Sequence, residues 1–156
     1  MTPRPLTAAD AAALAPLLAE MDPWRRLGFS AAGLAAYLGR DDAALTRVVL
    51  ECGGRAAAVL ALRRPWLRGP YVELLAVLPE AQGGGYGRRL VEWAAGQGGG
   101  NLWACVSAFN HAARAFYARA GFTEVAALPD LVMDGADEIL LRRRPGRDLR
   151  QDAAAR

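Results

Sequence analysis

The sequence predicts one α/β domain built on a mixed sheet with helices on its faces. Three observations carry this. Helical and strand patterns follow one another in the order αα, βββ, α, β, α, ββ. The 156 residues are 53% hydrophobic and 22% charged, which supplies a core for one domain of ordinary size. A nearly all-apolar strand runs straight into a glycine cluster that opens a helix. The domain is expected over residues 1–144. Residues 145–156 hold few core-forming side chains and are expected to be a flexible C-terminal tail.

Thr7 reads as the N-cap of a helix over residues 8–21, with Leu14, Leu17, Leu18 and Met21 on its apolar face. Asp22-Pro23 stops it, and a loop over residues 23–29 carries two aromatics. Ser30 caps a second helix to about Leu38. Residues 46–52 are rich in β-branched and aliphatic side chains. Gly53-Gly54 is a hairpin signal, and residues 55–63 form the return strand. Pro65 and Gly69-Pro70 bracket a loop holding Trp66. Residues 71–78 read as a central strand, ended by Pro79. A helix follows over 86–97, then a short buried strand over 102–106. Next come a helix over 110–120 with Gly121 as its left-handed stop, and strands over 122–127 and 138–143.

Composition removes whole mechanisms. All 19 basic residues are Arg, so no lysine Schiff base and no phosphate-loop lysine is available. The net charge of +3 is spread over scattered arginines rather than one stripe, which argues against a nucleic-acid partner. The run Arg142-Arg143-Arg144 reads as the solvated end of an edge strand. No apolar run approaches the roughly 20 residues of a membrane helix. Cys52 and Cys105 cannot build a disulfide framework, and no cluster has metal-ligand spacing. Residues 1–5 carry no basic export region, so a cytoplasmic protein is expected.

The informative stretch runs from Glu73 to Leu90. Glycines 83, 84, 85 and 87 permit positive φ and close backbone approach, so successive N–H groups can point at one anion. The helix N-terminus adds partial positive charge, and Arg88 and Arg89 lie in its first turn. This suits a pyrophosphate; a plain surface turn is the other reading. A Walker A loop fails because Arg88-Arg89, not Lys-Ser/Thr, follow Gly87. A Rossmann fingerprint fails because Arg88 stands where its third glycine belongs. No acid lies between Glu92 and Glu124 to hold a ribose.

Gln82-x-x-Gly85-x-Gly87 after a strand resembles the acetyl-CoA loop of the GNAT N-acetyltransferases. Asn110-x-x-Ala-x-x-Phe-Tyr117-x-x-x-Gly121-Phe122 is similar to that family's second signature, and the element order matches its fold. The resemblance implies an acyl-CoA N-acyltransferase fold with a central mixed sheet of six to seven strands and four helices. It implies transfer of the acetyl group of acetyl-CoA to a primary amine of a small molecule or peptide, by direct attack in a ternary complex and without a metal. A non-catalytic acyl-CoA-binding module on the same fold is the alternative. A homodimer is an assembly common in the family.

By this resemblance the backbone of Ala76, Val77 and Leu78 holds the pantetheine arm. Gln82, Gly83, Gly84, Gly85, Tyr86, Gly87 and Arg88 bind the pyrophosphate. Tyr117 is the general acid for the leaving thiolate and also lines the cofactor site; packing alone is the other reading of its position. Asn110 either caps its helix or bonds the pantetheine amides. A backbone N–H near Val77 stabilises the oxyanion. Glu73, placed by strand alternation on the same face as Val77, is a candidate base. Water, or an ion pair of Glu73 with an Arg such as Arg68, is the competing reading. The acceptor is expected against residues 23–29, the Trp66 loop and 129–137, whose Asp130, Asp134 and Asp137 suit a cationic amine. A phosphate-rich donor near Arg88, Arg89, Arg114 and Arg119 accounts for the basic balance.

Overall fold

A computed structural model describes residues 1–146. The expected tail lies outside the described residues from position 147 onward. In chain order the elements are β1 (Arg4–Pro5), α1 (Ala8–Ala19), α2 (Ala31–Gly39), β2 (Leu45–Cys52), β3 (Arg55–Trp66) and β4 (Gly69–Val77). A 3₁₀ turn (Pro79–Ala81) leads to α3 (Tyr86–Ala95), followed by β5 (Leu102–Ser107), α4 (His111–Arg119), β6 (Thr123–Met133) and β7 (Ala136–Arg143).

The caps read from sequence are present. The Thr7 hydroxyl accepts from the Asp10 N–H at 3.2 Å, and the Asp10 carboxylate accepts from the Thr7 N–H at 2.8 Å. Arg4 clamps the same carboxylate at 2.6 Å. Together these hold the Asp10 carboxyl down at about 2, the Arg4 hydrogen bond being the largest cause. Folding thus lowers this group below its ordinary value of 3.8. The stability it contributes is present at neutral pH and drains away as pH falls towards 2. Asp10→Asn is expected to cost about 1–2 kcal/mol in urea titrations at pH 7, a penalty that shrinks on acidification. Ser30 caps α2 through the Gly33 N–H at 3.0 Å, and Gly121 closes α4 at φ +93°.

The strands form one mixed sheet in the order β1-β2-β3-β4-β5-β7-β6, antiparallel throughout except for β4 and β5. Neighbouring residues of the central strands feed opposite cores, the period-2 rule at work. Leu60, Leu62, Val72, Ala104 and Leu141 pack with Leu90, Val91 and Phe122 under α3 and α4. Val59, Ala61, Leu74 and Ala76 pack with Leu14, Leu18, Leu34 and Leu38 under α1 and α2.

Two irregularities create the site. First, β4 and β5 are paired only at Tyr71↔Trp103 and Val72↔Ala104, then separate. Second, the β3–β4 register steps from Leu62↔Val72 to Ala61↔Leu74, leaving Glu73 as the extra residue of a bulge. The bulge overturns the expected facing of Glu73. Its carboxylate meets Tyr37 of α2, whereas Val77 packs on the α3/α4 side.

Three other expectations change. Residues 64–66 continue β3 instead of forming a loop, and Trp66 stacks on Tyr71 at 4.8 Å. Residues 129–133 extend β6 instead of forming a loop, bulging away from β7 after Leu128 and pairing again at Met133↔Ala136. The arginine run does not end an edge strand: β7 lies between β5 and β6, and β6 is the edge. Arg143 bonds Glu92 at 3.0 and 3.2 Å.

Candidate active site

On the α3/α4 side, the turn after β4 is shaped by its glycines. Gly83 and Gly85 adopt φ of +83° and +81°, and Gly85 is the residue from which α3 starts. The first N–H of the helix to find an acceptor in this turn is that of Arg89, on Gly85 O at 3.1 Å. The N–H groups of Tyr86, Gly87 and Arg88 belong to the open first turn, where a helix offers its donors and partial positive charge to an anion. A Cβ at Gly87 would stand 3.0 Å from two atoms of the Phe116 ring, so a larger residue there would have to push that half-buried ring aside.

A cleft of about 580 Å³ runs from this turn along the end of β4, bounded by α4 and by residues 21–24. Ala76, Val77, Gln82, Gly83, Gly85, Tyr86, Gly87, Arg88, Asn110 and Tyr117 all line it. Of the residues expected on it, Leu78 and Gly84 stand apart. Leu78 is buried in the α1/α2 core with its N–H bonded to Ala57 O at 2.9 Å, and the Gly84 N–H bonds Ala81 O at 3.2 Å. Because Leu78 faces β3, strand alternation turns the Val77 N–H towards the open gap. The Val77 carbonyl is already taken by the Gln82 side chain at 3.1 Å. Arg88 and Arg119 add cationic charge to the wall. Arg114 does not join them: it forks onto Glu124 at 2.8 and 3.1 Å.

A second cavity, of about 190 Å³, opens on the other side of the sheet beneath residues 23–29. Trp24, Leu27 and Phe29 form one wall, and Leu131 and Val132 of β6 another. Tyr71, Glu73, Cys105, Ser107, Asn110, Tyr117 and Glu138 bring polar side chains to it. The covering loop is tied down by the Arg26 guanidinium, 4.1 Å from the centre of the Phe109 ring. Trp66, Asp130, Asp134 and Asp137 do not reach this cavity; Asp130 instead accepts from the Gly135 N–H in the β6–β7 turn at 2.7 Å.

The two spaces meet at Pro23, Trp24, Leu75, Asn110, Ala113 and Tyr117, which line both. Tyr117 is 7% exposed and wedged edge-on between Phe116 and Phe122, each 5.2 Å away. Burial, and then the neighbouring Cys105, push its phenol above the ordinary value, so it keeps its proton. Asn110 caps α4 by accepting from the Ala113 N–H at 3.2 Å, which leaves its side-chain NH₂ for the cleft.

Glu73 is heavily engaged. Its carboxylate accepts from Arg63 Nε and Nη2, each at 3.0 Å, and from the Tyr37 hydroxyl at 2.9 Å. The ion pair is thus with Arg63, not with Arg68. Glu138, which the sequence reading passed over, is 6% exposed on the cavity floor, and Ser107 Oγ donates to it at 2.9 Å. Burial raises its carboxyl above the ordinary value. Burial likewise holds Cys105 as a thiol, and His111 is exposed, so neither supplies a nucleophile and base. Among the described residues no group of His, Cys, Asp and Glu is arranged to hold a metal, and no helix is long and apolar enough to cross a membrane.

The model of the Acetyltransferase (GNAT) family matches residues 12–122. Among solved structures, the chain is similar to the ribosomal-protein-S18-alanine N-acetyltransferase of Escherichia coli. That match has TM-score 0.72 and 23% identity, covering 95% of this chain and 97% of the other. An acetyltransferase from Thermus thermophilus matches with TM-score 0.71 and 24% identity over 92% and 96%. An aminoglycoside 6'-N-acetyltransferase complexed with coenzyme A matches with TM-score 0.68 and 14% identity over 94% and 98%. No curated protein matches the chain.

Proposed function

Because the chain belongs to the GNAT acetyltransferase family and is an acyltransferase, we propose that it moves the acetyl group of acetyl-CoA to a primary amine of a small molecule or peptide by direct attack in a ternary complex. One observation carries this reading. A phosphate-type cleft on one side of the sheet and a partly polar cavity that opens on the other meet at a buried tyrosine. A donor and an acceptor entering from opposite sides are thereby brought together at one phenol. The aminoglycoside enzyme that holds coenzyme A on this fold supports the choice of donor.

Acetyl-CoA supplies the acetyl group as a thioester. The turn at Gly83, Gly85, Tyr86, Gly87 and Arg88 carries the N–H groups and charge to bind its pyrophosphate. The Val77 N–H and the Asn110 amide present hydrogen-bonding groups to the pantetheine arm, while the Ala76 backbone, turned to β3 by the same alternation, only lines the cleft. The Val77 N–H stands where an oxyanion donor is useful. Tyr117, kept protonated, donates to the departing sulfur. Glu73, tied to Arg63 and Tyr37, is poorly free to take a proton, which favours a water-mediated route or another carboxylate. The acceptor lies against Trp24, Phe29 and Leu131 in a reducing, cytoplasmic setting that suits the free Cys52 and Cys105.

The test is a thiol-release assay with acetyl-CoA against alanine-terminated peptides, spermidine, kanamycin and 2-phenylethylamine. Turnover of at least one amine, with 1:1 CoA binding by calorimetry, is expected. Tight CoA binding without any acetylation across the panel overturns the enzymatic reading and leaves the binding module.

A further inference from the structure

We infer that Glu138 is the catalytic residue that takes the proton of the acceptor's ammonium group, a role that rests on the acetyltransferase reading above.

Three observations carry the assignment. The first is placement. Glu138 lies opposite Ser107 in the β5–β7 ladder, and both line the inner cavity that also contains Tyr117. Cys105, two residues before Ser107 on β5, lines the same cavity. The second is the poverty of its surroundings. Its one hydrogen bond among the described residues comes from a neutral hydroxyl. The acidic and phenolic groups around it (Cys105, Tyr71, Glu73 and Tyr117) bring no positive charge, and Arg63 is spent on Glu73 and Asp42. The third is contrast. A proton moving to Glu73 would give up two guanidinium bonds and a phenol bond. At Glu138 it relieves a carboxylate buried without a cation.

The step balances without an added reagent. The R–NH₃⁺ acceptor gives one proton to a Glu138 carboxylate oxygen and becomes R–NH₂. Its nitrogen lone pair forms the C–N bond to the acetyl carbon. The C–S bond breaks with its electrons on sulfur, which takes the Tyr117 proton. The acylated nitrogen returns its surplus proton to the Tyr117 oxygen through solvent, and Glu138 later releases the first proton to water. An amide, a thiol and one proton result. The same carboxylate favours acceptors whose ammonium stands on an apolar body, because Trp24, Phe29 and Leu131 line the rest of the chamber.

The experiment uses the full chain and the best acceptor of the panel. Wild-type kcat/KM is expected to fall on the acid side with a limb above the usual carboxylate range, the direction in which burial moves Glu138. Glu138→Gln, which still accepts from Ser107, is expected to lower kcat by about 10²–10³-fold and to remove that limb. Melting temperature and CoA affinity should stay unchanged, and formate should partly restore Glu138→Ala. Glu138→Asp, which keeps the charge, should retain the limb at reduced kcat and serves if the Gln variant does not fold. Turnover and acid limb surviving in Glu138→Gln, or a limb lost in Glu73→Gln instead, overturn the assignment alone. A wild type that binds CoA yet acetylates nothing overturns the acetyltransferase reading, and this assignment with it.

Discussion

Tyr117→Phe is expected to reduce kcat by about 10²-fold or more while leaving CoA affinity within twofold. The ring is held on both sides by Phe116 and Phe122, and phenylalanine fills the same space. The fold, the glycine turn and the cleft should therefore survive, and the loss falls on the hydroxyl. Because burial raises this phenol, its deprotonation should contribute no alkaline limb up to about pH 9. An unchanged kcat would mean that the thiolate leaves without help from Tyr117. A matching loss of CoA affinity would mark the hydroxyl as a binding group instead. The non-catalytic alternative expects no turnover in either protein.

Gly69→Ala is expected to destabilise the protein by about 3 kcal/mol or more, the upper end for overpacking, because backbone rather than a side chain must move. A Cβ at this position would lie 1.7 Å from the Asn101 carbonyl oxygen. The start of β4 and the segment entering β5 touch here, with the Asn101 N–H bonded to Arg68 O at 3.2 Å. For a chain of this size the melting temperature should drop by roughly 6–12 °C. The damage reaches the chemistry, because β4 and β5 are joined by only two residue pairs just beyond. A shift at Gly69 loosens the narrow end of the gap, so the KM for acetyl-CoA should rise even where the variant remains folded. A variant melting with the wild type would show that the two backbones separate freely at this point.

Local signals in the chain were legible because each is a property of a few adjacent residues. Thr7, Ser30 and Gly121 announce their helix ends by side-chain oxygen or by φ, and the glycine turn announces its open N–H groups. Pairing was less legible. Nothing local says that β7 inserts between β5 and β6, so Arg142-Arg143-Arg144 read as an edge. Nothing local says that the register skips Glu73, so simple alternation gives it the wrong face. Glu138 did carry a signal. It is an acid at the head of an apolar strand, the same feature that singled out Glu73, but only the β5–β7 pairing sets it against Ser107 over the cavity. The acceptor wall shows the converse. Asp130, Asp134 and Asp137 are conspicuous in sequence and end outside the cavity, while the flanking Leu131 and Val132 line it.

The two-residue seam between β4 and β5 would also make a bound donor an architectural part of the protein. Without it, the sheet is two smaller sheets, β1–β4 and β5-β7-β6, joined by a narrow seam and by the core beneath α3 and α4. The Val77 amide then faces no neighbouring strand and should exchange with deuterated solvent far faster than the amides of β3, which is paired on both sides. Pantetheine filling the gap would act as the missing rungs of the ladder. Coenzyme A at 100 times its dissociation constant should add about 2.7 kcal/mol to the unfolding free energy. The added protection should concentrate along that seam, so that unfolding becomes more cooperative when the enzyme is charged with its donor.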